Sequence, residues 1–141
     1  MEPCRFCAIV RGDVEAHLVL EDDETLAFLD SRPLFPGHSL LVPREHVETL
    51  VDLPDGLLSP FFANARLLAR AMEVGMGAEG SFVAINNRVS QSVPHLHLHV
   101  VPRTKGDGLR GFFWPRQKYR DDAHAAETRD RLRATVASLR A

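Results

Sequence analysis

The stretch QSVPHLHLHVVPR, Gln91 to Arg103, sets three histidines on alternate positions between two prolines. Alternation of period two marks a β-strand, whose successive side chains point to opposite faces. His95, His97 and His99 are thus expected to share one face at a spacing of about 6.7 Å, with Leu96, Leu98 and Val100 lining the other. Pro94 and Pro102 are expected to bracket the strand, since proline cannot donate to a ladder. One face is then greasy and holds the fold, and the other is chemical. A row of half-exposed surface histidines is the bland alternative, but histidine has no strand preference that calls for three.

Working outward, "HLVLED" (17–22) and "TLAFLD" (25–30) read as adjacent short strands, "GHSLLVP" (37–43) as another, and "SFVAINN" (81–87) as a fourth. "SPFFANARLLARAMEVGMG" (59–77) predicts a helix capped by Ser59, with Pro60 at its first position and Phe61, Ala65, Leu68 and Met72 on one face. Residues 120–139 predict a charged terminal helix with an apolar line of Ala125, Leu132, Val136 and Leu139. The expected class is α+β, with an antiparallel sheet of about five strands, one main helix and a C-terminal helical extension.

The chain has 141 residues, the size of one domain, with no repeats and no apolar run long enough to cross a bilayer. The expectation is a single domain over 1–141, with its core over about 4–103 and a basic, aromatic extension over 104–141. No signal peptide is recognisable, so a cytoplasmic location is expected. Two cysteines, Cys4 and Cys7, do not make a secreted disulfide framework. Residues 1–102 carry 7 Lys+Arg against 14 Asp+Glu, a net −7, whereas 103–141 carry 10 against 5, a net +5. The tail meets either an anionic ligand or the acidic body. Nucleic acid is not an expected substrate, because the body is acidic and the basic stretch short.

Histidines on one strand face admit two chemistries. They can chelate a catalytic metal, or one imidazole can attack an electrophile while its neighbours bind the developing charge. Asn86, Gln91 and Ser92 are neutral hydrogen-bonding groups, and no carboxylate lies between Gly80 and Val101, which favours the nucleophile.

HLHLHVV resembles the His-φ-His-φ-His-φ-φ signature of the histidine triad (HIT) family, and the likeness runs upstream through "EDDETLAFLDSRPLFPGHSLLVPREHV", covering roughly Cys4 to Arg103. It implies a HIT-like fold and a hydrolase or transferase acting at the α-phosphate of a purine nucleotide, such as an adenosine phosphoramidate or dinucleoside polyphosphate. His97 then matches the nucleophile that forms a covalent nucleotidyl-histidine, His99 and His38 the phosphate-touching positions, and Ser92 the hydroxyl at the phosphate or leaving group. Asp30 matches the ribose-binding carboxylate, and Asn86 the polar residue beside the substrate. Gln91 belongs to the same substrate-side group. Ser90 stands where the family usually has glycine. A metal-dependent hydrolase with the triad as ligands and a non-catalytic nucleotide-binding module are the alternatives.

In "CRFC" two thiols at C-x-x-C spacing supply half of a tetrahedral zinc site. Similarity to bacterial HIT proteins implies His46 and His95 as the other half, giving a structural zinc on Cys4, Cys7, His46 and His95. Free thiols are the alternative, and a redox pair lacks its preceding strand. The tail stretch GDGLRGFFWPRQKYR mixes aromatics, including Trp114, with basic residues, for substrate contact or for the homodimer that the family resemblance implies.

Overall fold

The computed structural model describes residues 3–110 and 116–141, in two compact units divided after Asp107. In chain order the elements are α1 (Arg5–Arg11), β1 (Leu18–Glu21), β2 (Thr25–Leu29), β3 (Ser39–Pro43), a single 3-10 turn (Leu50–Asp52), α2 (Asp55–Met76), β4 (Gly80–Ile85), β5 (Leu98–Arg103) and α3 (Asp122–Arg140). The sheet has five strands in the order β1-β2-β3-β5-β4, and each neighbouring pair is antiparallel, as the strand pattern predicts. The last strand enters between β3 and β4, so His99 is flanked by Leu40 and Ala84.

Both sheet faces are covered. On one, Ala27, Leu41, Leu98 and Val100 pack with Phe61, Ala65, Leu68 and Met72 of α2, the helical stripe read from the sequence. Burying each large apolar side chain contributes about 1.5–3 kcal/mol. On the other, Leu26, Phe28, Leu40 and Val42 pack with Phe6 of α1. Gly37 lies at φ +102°, and a Cβ there would come within 3.1 Å of Met76 Cε, so glycine is required at the turn into β3.

Several expectations are corrected. Residues 5–11 form α1, with Cys4 as N-cap and Gly12 in the left-handed conformation closing it, and this helix covers the histidine face. On that face His95 and His97 are buried and His99 is half-buried, unlike the surface row of the bland alternative, and Leu96 and Leu98 opposite are buried too. The ladder of β5 begins only at Leu98, because the Leu96 N–H is taken by the Val47 carbonyl outside the sheet, at 2.7 Å. Pro102 lies within β5 opposite Ser81 and does not end it. Helix α2 starts at Asp55, one turn before the expected Ser59 cap, because Leu57 also packs on the core; Pro60 then sits inside the helix.

In the second unit, Asp121 caps α3 by accepting from the His124 N–H. Leu132, Val136 and Leu139 on its apolar line are exposed. Trp114 lies outside the described residues. No described helix is long and apolar enough to cross a membrane.

Candidate active site and metal centre

Hydrogen bonds to the backbone settle what each triad ring can do. A carbonyl only accepts, so the nitrogen facing it carries the proton. His97 Nδ1 lies 2.8 Å from the His95 carbonyl oxygen, which leaves Nε2 with the lone pair. His95 Nε2 lies 2.9 Å from the Pro43 carbonyl oxygen, which leaves a lone pair on Nδ1 facing Cys4, Cys7 and His46. Burial pushes the His95 ring below the usual histidine range and holds it neutral.

His38 and His99 form a relay. The Leu34 N–H donates to His38 Nδ1 at 3.0 Å, so neutral His38 carries its proton on Nε2. That Nε2–H donates to His99 Nδ1 at 2.9 Å, which puts the His99 proton on Nε2. Burial, reinforced by His97 and His38, pushes His99 down to about 4, while Asp30 works the other way. Burial also lowers His38 against the same carboxylate. Asp30 uses one oxygen as a turn residue, accepting from the Arg32 N–H at 2.9 Å, and its other oxygen lies 3.6 Å from His38 Nε2.

Asp30, His97 and His99 border a cavity of about 530 Å³, within the range of small-ligand sites. His97, His99 and Ser92 line one end. Asp30 and Ser31, directly after β2, line the middle, and Val14 to His17, directly before β1, line the other end. From β5 to β1 is three strand spacings, about 14 Å. Phe6, Ile9, Phe28 and Leu40 supply apolar wall.

Not every expected substrate residue borders this space. His38 is buried behind His99, outside the lining. Gln91 binds backbone at both ends of its amide: Nε2 donates to the Glu48 carbonyl at 2.7 Å, and Oε1 accepts from the Arg88 N–H at 2.8 Å. It fastens the loop that presents Ser92. Asn86 is exposed on the same loop and does not line the cavity either. Arg88 and Ser90 in that loop have φ of 67° and 61°, so Ser90 occupies a conformation that favours glycine. Arg5, Phe6 and His17, by contrast, line the cavity without having been singled out.

The second centre gathers Cys4, Cys7, His46 and His95, whose ligating atoms all lie within 4.8 Å of one another. A tetrahedral zinc with ordinary bond lengths would set N···N near about 3.3 Å and N···S near about 3.6 Å. His46 Nδ1 and His95 Nδ1 are 3.2 Å apart, and the N···S separations are 3.3 Å (Cys4–His95), 3.3 Å (Cys7–His46) and 3.5 Å (Cys7–His95). The Cys7 N–H donates to Cys4 Sγ. Burial and the neighbouring Cys4 thiol push Cys7 up, and a cation between the two sulfurs would reverse that. The donor set fits zinc.

A second group of ligating atoms, from Asp30, His38 and His99, is equally close. It fits a metal poorly, because the Leu34 N–H keeps the His38 proton on the nitrogen that would have to bind. Neither group holds two of the three triad histidines.

The HIT domain family matches residues 11–106. The chain belongs to the HIT family. It is 39% identical over 107 residues to a HIT-like protein of Methanocaldococcus jannaschii, covering 74% of this chain and 82% of that one. It is 32% identical over 118 residues to the adenosine 5′-monophosphoramidase of Saccharomyces cerevisiae, covering 82% and 72%. It is 33% identical over 108 residues to an adenylylsulfatase of Arabidopsis thaliana, covering 75% and 55%. Among solved structures, a HIT family member from Bacillus subtilis superposes with a TM-score of 0.84 at 31% identity, covering 94% of this chain and 96% of that one. A zinc-bound histidine triad protein from Mycobacterium smegmatis does so with a TM-score of 0.71 at 40% identity, covering 96% and 94%.

Proposed function

We propose that this HIT protein is a nucleotidyl hydrolase or transferase with His97 as its nucleophile. The observation that carries the reading is the 2.8 Å contact from His97 Nδ1 to the His95 carbonyl, which leaves a lone pair on Nε2 of a ring lining the cavity. Nε2 bonds to the α-phosphorus as the bond from phosphorus to the leaving nitrogen or oxygen breaks. The leaving atom keeps the electron pair and takes a proton relayed from solvent through Ser92 Oγ. Water then bonds to phosphorus, the P–N bond breaks with its pair returning to Nε2, and the water proton is released with the nucleoside monophosphate.

In this reading His99 donates Nε2–H to a phosphoryl oxygen, and His38 fixes that tautomer from behind. The second oxygen of Asp30 accepts from the ribose, and the apolar wall takes a purine. The substrate class is a nucleoside phosphoramidate or dinucleoside polyphosphate; the phosphoramidase among its relatives supports the first, and the adenylylsulfatase supports an adenylyl substrate more generally. Zinc on Cys4, Cys7, His46 and His95 would be a structural cross-link between α1 and the triad segment. A homodimer would cover exposed apolar residues such as those of α3, and light scattering tests it.

The test is chromatographic detection of AMP released from adenosine 5′-phosphoramidate and from diadenosine tetraphosphate. Turnover of either by wild type and its loss in His97→Ala supports the reading. Turnover retained in His97→Ala overturns it, and no release by wild type leaves a nucleotide-binding module.

A further inference from the structure

We infer that the metal centre positions the nucleophile, acting through Phe6 and the His95 backbone. The inference rests on the zinc and nucleophile readings above and goes beyond a stabilising role for the ion. His95 serves both centres: its Nδ1 belongs to the Cys/His cluster, and its carbonyl oxygen holds His97 Nδ1 at 2.8 Å. Rotation of the His95 backbone therefore moves the atom that fixes the tautomer and direction of His97. The second link is Phe6, which lies between Cys4 and Cys7 in sequence and is 4% exposed. Its ring stands edge-on to His97 at 5.1 Å and to His95 at 6.0 Å.

A bound cation joining the two thiols to His95 and His46 fixes α1, and hence Phe6, against the triad segment. Without it, α1, seven residues long and too short to be stable in isolation, is held to the sheet by the packing of Phe6, Ile9 and Val10, which leaves its position less firmly set. Misplacement of a reacting atom by about 1 Å costs on the order of a hundredfold in rate. Phe6 and the His95 carbonyl are positioning groups; the phosphorus is met by His97.

The experiment reads the His97 ring directly. Long-range proton–nitrogen NMR, with no nucleotide present because Phe6 also lines the cavity, is recorded on zinc-loaded protein, on zinc-stripped reduced protein, and on zinc-loaded Phe6→Leu. Zinc content is measured in each sample, and kcat is measured in parallel. The expected result is a single Nδ1–H tautomer in loaded wild type, a mixture of tautomers in the other two, and kcat lower by about tenfold or more in both. Should stripping unfold the chain, loaded Phe6→Leu decides. A single Nδ1–H tautomer and kcat within about twofold in the perturbed samples overturns the coupling while leaving zinc and nucleophile intact. A chain that takes up no zinc overturns the metal reading, and with it this one. Turnover that survives His97→Ala overturns the nucleophile reading instead.

Discussion

Replacing Ser90 by glycine should stabilise the protein, although it removes atoms and adds none. Ser90 holds φ at 61°, where an L side chain brings its Cβ against the following carbonyl at a cost of about 1–2 kcal/mol. Glycine removes that clash and gives back about 0.5–1 kcal/mol through the greater freedom of the unfolded chain. The net gain is about 0.5–1 kcal/mol, a rise in melting temperature of about 2 °C for a chain of this size. Ser90→Ala is the control, since alanine keeps the Cβ and should gain nothing. Calorimetry of the three zinc-loaded proteins at one pH makes the comparison. If Ser90→Gly melted lower than Ser90→Ala, backbone strain would not be what the serine costs, and the reasoning would fail.

Acid should destabilise the fold through His99. Its pKa is pushed down to about 4 by burial, so as pH falls from about 6.5 the unfolded chain takes a proton that the folded chain refuses, and stability falls with pH. From pH 7 to 5 the loss is at most about 2 kcal/mol, and about 1 kcal/mol allowing for solvent screening of the partly exposed ring; urea titrations should show that part missing in His99→Gln. Phe61→Ala, at a fully buried position under the sheet, should cost about 3–5 kcal/mol in the same assay. Gln91→Ala should cost only about 1 kcal/mol in stability yet lower kcat, because it releases the loop that carries Ser92; equal kcat would show that the loop holds itself.

The strands, their antiparallel sheet and the α2 stripe were legible because alternation and the helical period repeat regularly through them. Helix α1 was not: RFCAIVR spans under two turns and buries only Phe6, so no period develops. The one local signal was Gly12, a glycine placed to end a helix. The start of β5 was missed because the competing partner of Leu96, the Val47 carbonyl, is 49 residues away in sequence and outside the ladder. The cysteine pair signalled a metal by spacing, whereas His46 came from family likeness, since nothing local marks it. The relay through His38 depends on a backbone N–H four residues earlier, a contact that residue types do not announce. Likewise the amide of Gln91 looked like a substrate ligand until its two backbone partners were in view.

Intact mass of the chain, quenched in base during turnover of adenosine 5′-phosphoramidate, tests the central claim most directly. The account predicts a population heavier by one adenylyl group, mapped by peptide analysis to His97 and missing from His97→Ala. AMP release from a chain that stays unmodified at every quench time, or an adduct on another residue, would contradict it.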